Sequence, residues 1–260
     1  MPTAAYQVGE LDWDTKFFGI KMGRVILPVL SENREFSEIA WRRTLETARA
    51  QNYQFLYCPF DVSHQEIANS IAALGGEIGD ILLTFWFDSA KHKKHPLQYR
   101  VTEAKQCDLA EILEIARIAF RNSRFFQDPH FDRVKAGQFY PSWLQESFLS
   151  SEKILIIKQA GQVLGFISLK PQSEAETGTE TLVIRLIAVA ESWQGKGIGQ
   201  TLIDEAINEA LAQKYRYLQV GTQITNYAAI NLYEKNGFRV TSAKYRFHVW
   251  LNRLSLIQTV

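Results

Sequence analysis

Cysteine is nearly missing: Cys58 and Cys107 are the only two in 260 residues. A disulfide framework is therefore excluded, and a reducing cytoplasm is the expected compartment. An excess of one charge is missing as well. Lys and Arg total 29 against 28 for Asp and Glu, a formal net charge of +1. A surface built to coat nucleic acid or anionic lipid is usually more basic, so neither partner is expected. No run of about eighteen apolar residues occurs, so no membrane-spanning helix is expected. Met1 to Phe18 lacks a basic stretch followed by an apolar one, and no signal peptide is expected. Metal-ligand clusters are scarce too. His92 and His95 have a usable spacing, but no Cys or carboxylate group joins them, so no metal is expected and Lys91 to Pro96 reads as a solvated basic linker.

What is present is a composition of 46% hydrophobic and 22% charged residues, which excludes a disordered scaffold and fits one or two domains. The Pro-terminated polar stretch Ser89 to Leu97 is the natural boundary, giving an N-terminal α/β domain over 1–95 and a second domain over 96–260. In the first, Lys21 to Leu27, Gln54 to Pro59 and Ile81 to Phe87 are strand-like, with helices over about Glu35 to Ala50 and Gln65 to Leu74. In the second, Gln98 to Glu103 reads as a strand. Asp108 with Glu111 forms a capping box ahead of Leu109, Ile112, Leu113 and Ala116 at helical spacing. A helix follows over about Arg133 to Leu149, then two strands, Lys153 to Gln159 and Val163 to Leu169, around the Ala160-Gly161 turn.

Thr181 to Ala190 is almost continuously apolar, as in a strand covered on both faces. A glycine-rich turn leads from it into a helix whose stripe is Leu202, Ile203, Ala206, Ile207, Ala210 and Leu211. Tyr217 to Gly221, a helix over Tyr227 to Lys235, and the strands Phe238 to Ser242 and Tyr245 to Leu251 complete a mixed α/β sheet. Tyr53, Leu56, Asn69, Gly75 and Phe85 match Tyr215, Leu218, Asn231, Gly237 and Phe247 without gaps, a pattern that suggests the first domain is a degenerate half-copy of the second.

The chemistry is concentrated in Gln194-Gly195-Lys196-Gly197-Ile198-Gly199. Glycines there let successive N–H groups converge on one anion, and the following helix adds its unpaired first-turn donors and positive dipole end. That combination suits a pyrophosphate. Gln200 stands where a Rossmann fingerprint needs its third glycine, and no Gly-Lys-Ser/Thr of a P-loop is present. Downstream, Asn226, Ala229, Ile230 and Tyr233 share one helix face, with Asn226 and Tyr233 about 10 Å apart along the axis.

These two segments resemble the Q/R-x-x-G-x-G/A and N-x-x-A-x-x-x-Y-x-x-x-G-F elements of the GNAT N-acetyltransferase superfamily, carried here by Gln194, Gly197 and Gly199 and by Asn226 to Phe238. The resemblance spans about Leu97 to Trp250. It implies a mixed central sheet of the GNAT acyl-CoA N-acyltransferase type, with acetyl-CoA as cosubstrate. It further implies that the backbone of Ile187, Ala188 and Val189 bonds the pantetheine and acetyl group. The amides of Gly195, Lys196, Gly197, Ile198, Gly199 and Gln200 would hold the pyrophosphate. From their shared helix face, Asn226 is a candidate second contact to the cofactor, and Tyr233 is either a donor of a proton or a strong hydrogen bond to the leaving thiolate or a core aromatic bonded to a backbone carbonyl. Leu11 to Gly19, Ser123-Arg124-Phe125 and Phe139-Tyr140-Pro141-Ser142-Trp143 resemble the bacterial TDP-fucosamine acetyltransferases, which also place a small α/β domain first. The implied acceptor is the amine of a nucleotide-linked amino sugar. Protein or polyamine acetylation, or a non-catalytic CoA sensor, are the rival readings.

Arg185 interrupts a row of Val183, Ile187 and Val189, and a cation there either pairs structurally or reaches toward the acceptor. Arg124 is either a solvated loop residue or a phosphate contact. Phe125, Phe126, Phe131, Phe139, Tyr140 and Trp143 read as core of a helix–loop–helix, with one or two of them as alternative stacking surfaces for an acceptor ring. No acid lies within Thr181 to Ala190, so the general base is not assigned; Glu180 is the nearest acid, and a water chain removes the need for one. Cys58 and Cys107 read as core or cap residues. A homodimer is compatible with the composition.

Overall fold

The computed structural model describes residues 5–27, 36–150, 152–173 and 180–254. The chain divides into two compact units, one comprising residues up to Leu82 together with those from Ala243 onward, the other Leu83–Ser242.

The first unit contains β1 (Gln7–Glu10), α1 (Asp12–Phe18), β2 (Met22–Ile26), α2 (Glu38–Ala50), β3 (Phe55–Asp61), α3 (Gln65–Ala73) and the start of β4 (Glu77–Asp88). β1 is antiparallel to β2, and β2 runs parallel to β3. α2 begins at Glu38, because the Ser37 hydroxyl accepts the Ala40 N–H at 3.2 Å; the expected start near Glu35 lies outside the described residues. Trp41, Leu45 and Ala48 of α2 and Ile67 and Ile71 of α3 bury themselves on Leu56, Cys58 and Phe60, alternate residues of β3. Cys58 is thus a core residue, and burial pushes its thiol pKa far up.

The second unit continues with β5 (Val101–Glu103), α4 (Leu109–Ala119), α5 (Arg124–Gln127), α6 (Arg133–Leu149), β6 (Lys153–Gln159), β7 (Gln162–Ser173), β8 (Glu180–Val189), α7 (Ile198–Ala212), β9 (Tyr217–Gln223), α8 (Tyr227–Lys235) and the start of β10 (Arg239–Trp250). β5 to β8 are successively antiparallel, and β9 is parallel to β8. This is the expected mixed α/β sheet. The near-continuous apolar strand is explained by two cores. On one side, Leu202, Ile203, Ala206 and Ile207 of α7 pack on Leu155, Ile167, Leu182, Ile184 and Val220. On the other, Ile112 and Ala116 of α4 and Leu144 of α6 pack on Ile154, Ile156, Phe166, Leu186 and Ala188. No helix among the described residues is long and apolar enough to cross a membrane.

Three expectations are corrected. The division does not fall at residue 95 but within β4, after Leu82, and within β10, after Ser242. The reason is strand pairing: Lys244 to Trp250 of β10 are antiparallel to β3, so the chain's last strand completes the first unit's sheet. The linker is also less free than expected, since His95 Nδ1 lies 2.6 Å from Asp204 Oδ1 and the His95 backbone exchanges two hydrogen bonds with Asn208. Third, Asp108 and Glu111 form no capping box. Asp108 accepts from the Lys105 N–H and from Lys158, and Glu111 accepts the Val163 N–H at 2.8 Å. Neighbouring strands took the carboxylates that local rules gave to the helix.

The internal pattern extends to element boundaries. Phe55 and Tyr217, Asp61 and Gln223, Gln65 and Tyr227, Ala73 and Lys235, Glu77 and Arg239, and Asp88 and Trp250 all differ by the same 162 positions. Gly75 and Gly237, at that offset, both take left-handed backbones with φ of 87° and 86°.

Asp108 is buried, and its hydrogen bonds from Lys158 and the Lys105 N–H hold its carboxyl below the usual range. A depressed pKa stabilises the fold above the unfolded value of about 3.9 and loses that contribution as pH falls through the folded value. Asp108→Asn should therefore cost about 1–3 kcal/mol in urea unfolding at pH 7. The gap to wild type should narrow in the same measurement as pH falls below about 3.9 and close only beneath the depressed folded-state pKa.

Candidate active site

Two features of β8 create the site. Its ladder to β9 runs from Thr181–Tyr217 to Ile184–Val220 and stops, while β8 continues to Val189. The peptide groups of Ile187, Ala188 and Val189 therefore lie beyond the last β9 partner. On the other edge, Ser168 pairs with Leu186 and Leu169 with Ile184, which leaves Arg185 without a partner in a β-bulge.

A bulge adds one residue and so reverses the alternation. Leu182 and Ile184 face the α7 core before it; Ile187 and Val189 face that core after it, while Leu186 and Ala188 turn to α4 and α6. The expected row of Val183, Arg185, Ile187 and Val189 does not exist. Arg185 is exposed, with its guanidinium carbon 4.6 Å from the ring centre of Trp143 on α6.

After β8 the chain makes one 3-10 turn, Glu191–Trp193, and enters the glycine loop. Gly195 and Gly197 have φ of 74° and 85°, where side chains are strained. Gly197 is the N-cap of α7, and no side chain caps that end. The N–H groups of the first turn are thus left for a ligand, and such an uncapped end beside left-handed glycines fits an anionic diphosphate. Around Gly195 a Cβ would meet nothing, which leaves the loop open there. Gly199 serves close packing instead: its Cβ would sit 3.3 Å from Leu232 of α8 and 3.7 Å from Val189. The loop, the end of β8 and α8 therefore converge.

The side chains of the loop mostly hold it in place. Gln194 Nε2 lies 3.4 Å from the Val189 carbonyl. The Lys196 carbonyl accepts from the Tyr99 hydroxyl at 2.8 Å, and its ammonium sits 4.5 Å above the Trp193 ring. Gln200 turns away from the loop toward Asp204 and exchanges hydrogen bonds with Asn236, just past α8. Only its backbone N–H is left for an anion.

Asn226 and Tyr233, on one face of α8, have unlike surroundings. Asn226 is exposed, and its side-chain oxygen caps α8 by accepting the Ala229 N–H at 3.2 Å. Tyr233 is 2% exposed, its ring 5.4 Å from that of Phe85 and 5.9 Å from that of Phe238. Burial pushes its phenol well above the ordinary pKa, so it stays protonated. No hydrogen bond to its hydroxyl is found among the described residues. The hydroxyl oxygen is not among the fully buried polar atoms left without a partner, so it remains within reach of an arriving acceptor.

Arg124 opens α5 behind the Ser123 cap, half-buried, with its guanidinium 4.0 Å from the Phe125 ring centre. Phe125, Phe131 and Phe139 form the aromatic core expected of this segment. Tyr140 and Trp143 are only half-buried. Sequence reasoning missed the role of Trp143 as a platform, and the available signal was an arginine in an otherwise apolar strand. Cys107 is exposed. Among the described residues no three His, Cys, Asp or Glu side chains converge as a metal site requires.

Residues 110–238 match the model of the acetyltransferase (GNAT) family. The chain is 27% identical over 259 residues to the dTDP-fucosamine acetyltransferase of Escherichia coli, covering 97% of this chain and 100% of that protein. It is 30% identical over 160 residues to the spore coat polysaccharide biosynthesis protein SpsD of Bacillus subtilis, covering 61% of this chain and 53%, about half, of that protein. Among solved structures, the tandem GNAT protein of the clavulanic acid biosynthesis pathway superposes with a TM-score of 0.58 at 13% identity, covering 88% of this chain and 75% of that one. That likeness is one of fold.

Gly197→Val tests the loop. A β-branched side chain at positive φ costs about 1–3 kcal/mol, which should lower the melting temperature by a few degrees without unfolding the protein. Calorimetric affinity for CoA should fall by at least about tenfold as the amides lose convergence. An unchanged affinity removes the loop from the site.

Proposed function

This chain carries a GNAT acetyltransferase domain, and we propose that it moves an acetyl group from acetyl-CoA to the primary amine of a nucleotide-linked amino sugar. The observation that carries the first half is the uncapped N-terminus of α7 behind Gly195 and Gly197. Its amides, from Gly195 to Gln200, hold the diphosphate of CoA, whose thioester supplies the activated acetyl group. The strand edge at Ile187, Ala188 and Val189, beyond the last β9 partner, bonds the amide-bearing arm. Asn226 contributes chiefly by starting α8 where it does.

The acceptor half rests on the match to the dTDP-fucosamine acetyltransferase, which runs the length of both chains rather than the GNAT segment alone. A relative whose name places it in polysaccharide biosynthesis points the same way.

In the reaction the amine nitrogen bonds to the thioester carbonyl carbon, the carbon–sulfur bond breaks, the nitrogen gives up a proton and the sulfur gains one. Tyr233 serves the sulfur. The parent thiol of the leaving group ionises near 8.5 by analogy with cysteine, and burial lifts the phenol away from that value. Tyr233 therefore donates a hydrogen bond as charge develops, and the proton that finally neutralises the thiolate comes from solvent. Held between Phe85 and Phe238 and almost wholly buried, the phenol makes that hydrogen bond stronger than one in water.

Tyr233→Phe should fold normally and bind acetyl-CoA with similar affinity, while turnover falls by about 10²–10³, the range for losing one donor to developing charge; wild-type turnover in this variant means the residue only packs. Free-CoA release should be seen with amino-sugar nucleotides and not with peptides or polyamines; release with peptides alone overturns the acceptor. At the offset positions, His64 provides no side-chain cap to α3 and Ile71 is fully buried. Calorimetry should accordingly give one CoA per chain, not two.

A further inference from the structure

Arg185 is the one residue of β8 with the oddest surroundings. It has no partner across the β7 ladder, and it follows Ile184, the last residue paired with β9. Several cations of the second unit have acids: Lys153 has Glu209, Lys158 has Asp108, Lys170 has Glu152, Arg117 has Glu114. Arg185 has none among the described residues, and its guanidinium lies over the face of Trp143. Stacking on an indole face fixes a guanidinium without using its N–H groups, which project from its edge and remain free for a planar, bidentate acceptor.

The diphosphate bound at α7 cannot be that acceptor. α7 packs on one face of the sheet, whereas Trp143 belongs to α6, which packs on the other. Arg185 also stands four residues, roughly 13 Å, up the strand from Val189, the end of β8. A second anion is needed. A polyamine would be repelled by Arg185, and a free amino sugar offers it no charge.

We propose that Arg185, held on Trp143 at the β8 bulge, binds the phosphate of a nucleotide-linked acceptor and sets the enzyme's preference for it. The proposal deepens the acetyltransferase reading and rests on it. Trp143 is a positioning residue: it holds the guanidinium flat so that both of its edge donors reach one phosphate.

The test uses the full chain saturated with CoA, so that the α7 site is filled. Calorimetric titration with dTDP should show binding to wild type, weakened on the order of 10- to 100-fold by Arg185→Ala. Arg185→Lys, which keeps the charge but not the fork or the stack, should fall between. CoA affinity measured on the same samples reports that each variant is folded. In turnover assays, the kcat/KM preference for the nucleotide-linked over the free amino sugar should shrink by a similar factor in Arg185→Ala, through KM. Wild type that binds no dTDP, or variants that bind it equally well, overturns the proposal. Wild type that binds dTDP through Arg185 but does not acetylate amino-sugar nucleotides upholds the anion site and overturns the acceptor assignment instead. Acetylation with an unchanged preference in Arg185→Ala upholds the acceptor and overturns Arg185.

Discussion

The structure turns on a strand that must be covered on both faces and left unpaired along part of one edge. β8 has cores on either side, built by α7 and by α4 with α6, yet its ladder to β9 ends at Ile184. Backbone N–H and C=O groups in such surroundings demand partners. A strand edge that its own sheet does not complete is a site for an extended ligand with amides of its own, and under the proposed function the pantetheine arm of CoA is such a ligand.

The bulge at Arg185 resolves a conflict within that strand. A strictly alternating strand would keep Val183, Arg185, Ile187 and Val189 together, forcing a cation into an apolar row. One extra residue reverses the pleat, so Ile187 and Val189 join the α7 core and Arg185 meets Trp143 on the opposite face. The same irregularity separates two kinds of chemistry. Under the proposed function the α7 terminus holds one anion on its side of the sheet, and the acceptor anion lies on the other. Tyr233, wedged between Phe85 and Phe238, has the low-dielectric setting in which a single hydrogen bond counts.

Economy of pattern is visible in the two strand–helix–strand segments separated by 162 positions, from Phe55 and from Tyr217. Each has a nine-residue helix followed by a left-handed glycine. They diverge where function would need them alike. Asn226 caps its helix while His64 does not, and a buried phenol in one is a buried Ile71 in the other. The two segments share element boundaries but not polar chemistry.

Short-range physics in the sequence determined much of this. Glycine at Gly195 and Gly197 before an apolar stripe specifies a tight turn into an amphipathic helix, because only glycine adopts those backbones without strain. The apolar run through β8 specifies burial on both faces. Boundaries of α3, α6 and α8 were legible for the same reason, since periodicity and turn residues are local. Tertiary structure alone decided the rest. The partner of Asp108 is Lys158, fifty residues away, and no helix-capping rule can see it. The last strand joins β3 rather than its sequence neighbours, because hydrogen-bond partners across a sheet are chosen in space. The face that Arg185 occupies depends on one unpaired residue opposite Ser168 and Leu169, a property of the ladder between two strands that neither strand carries by itself.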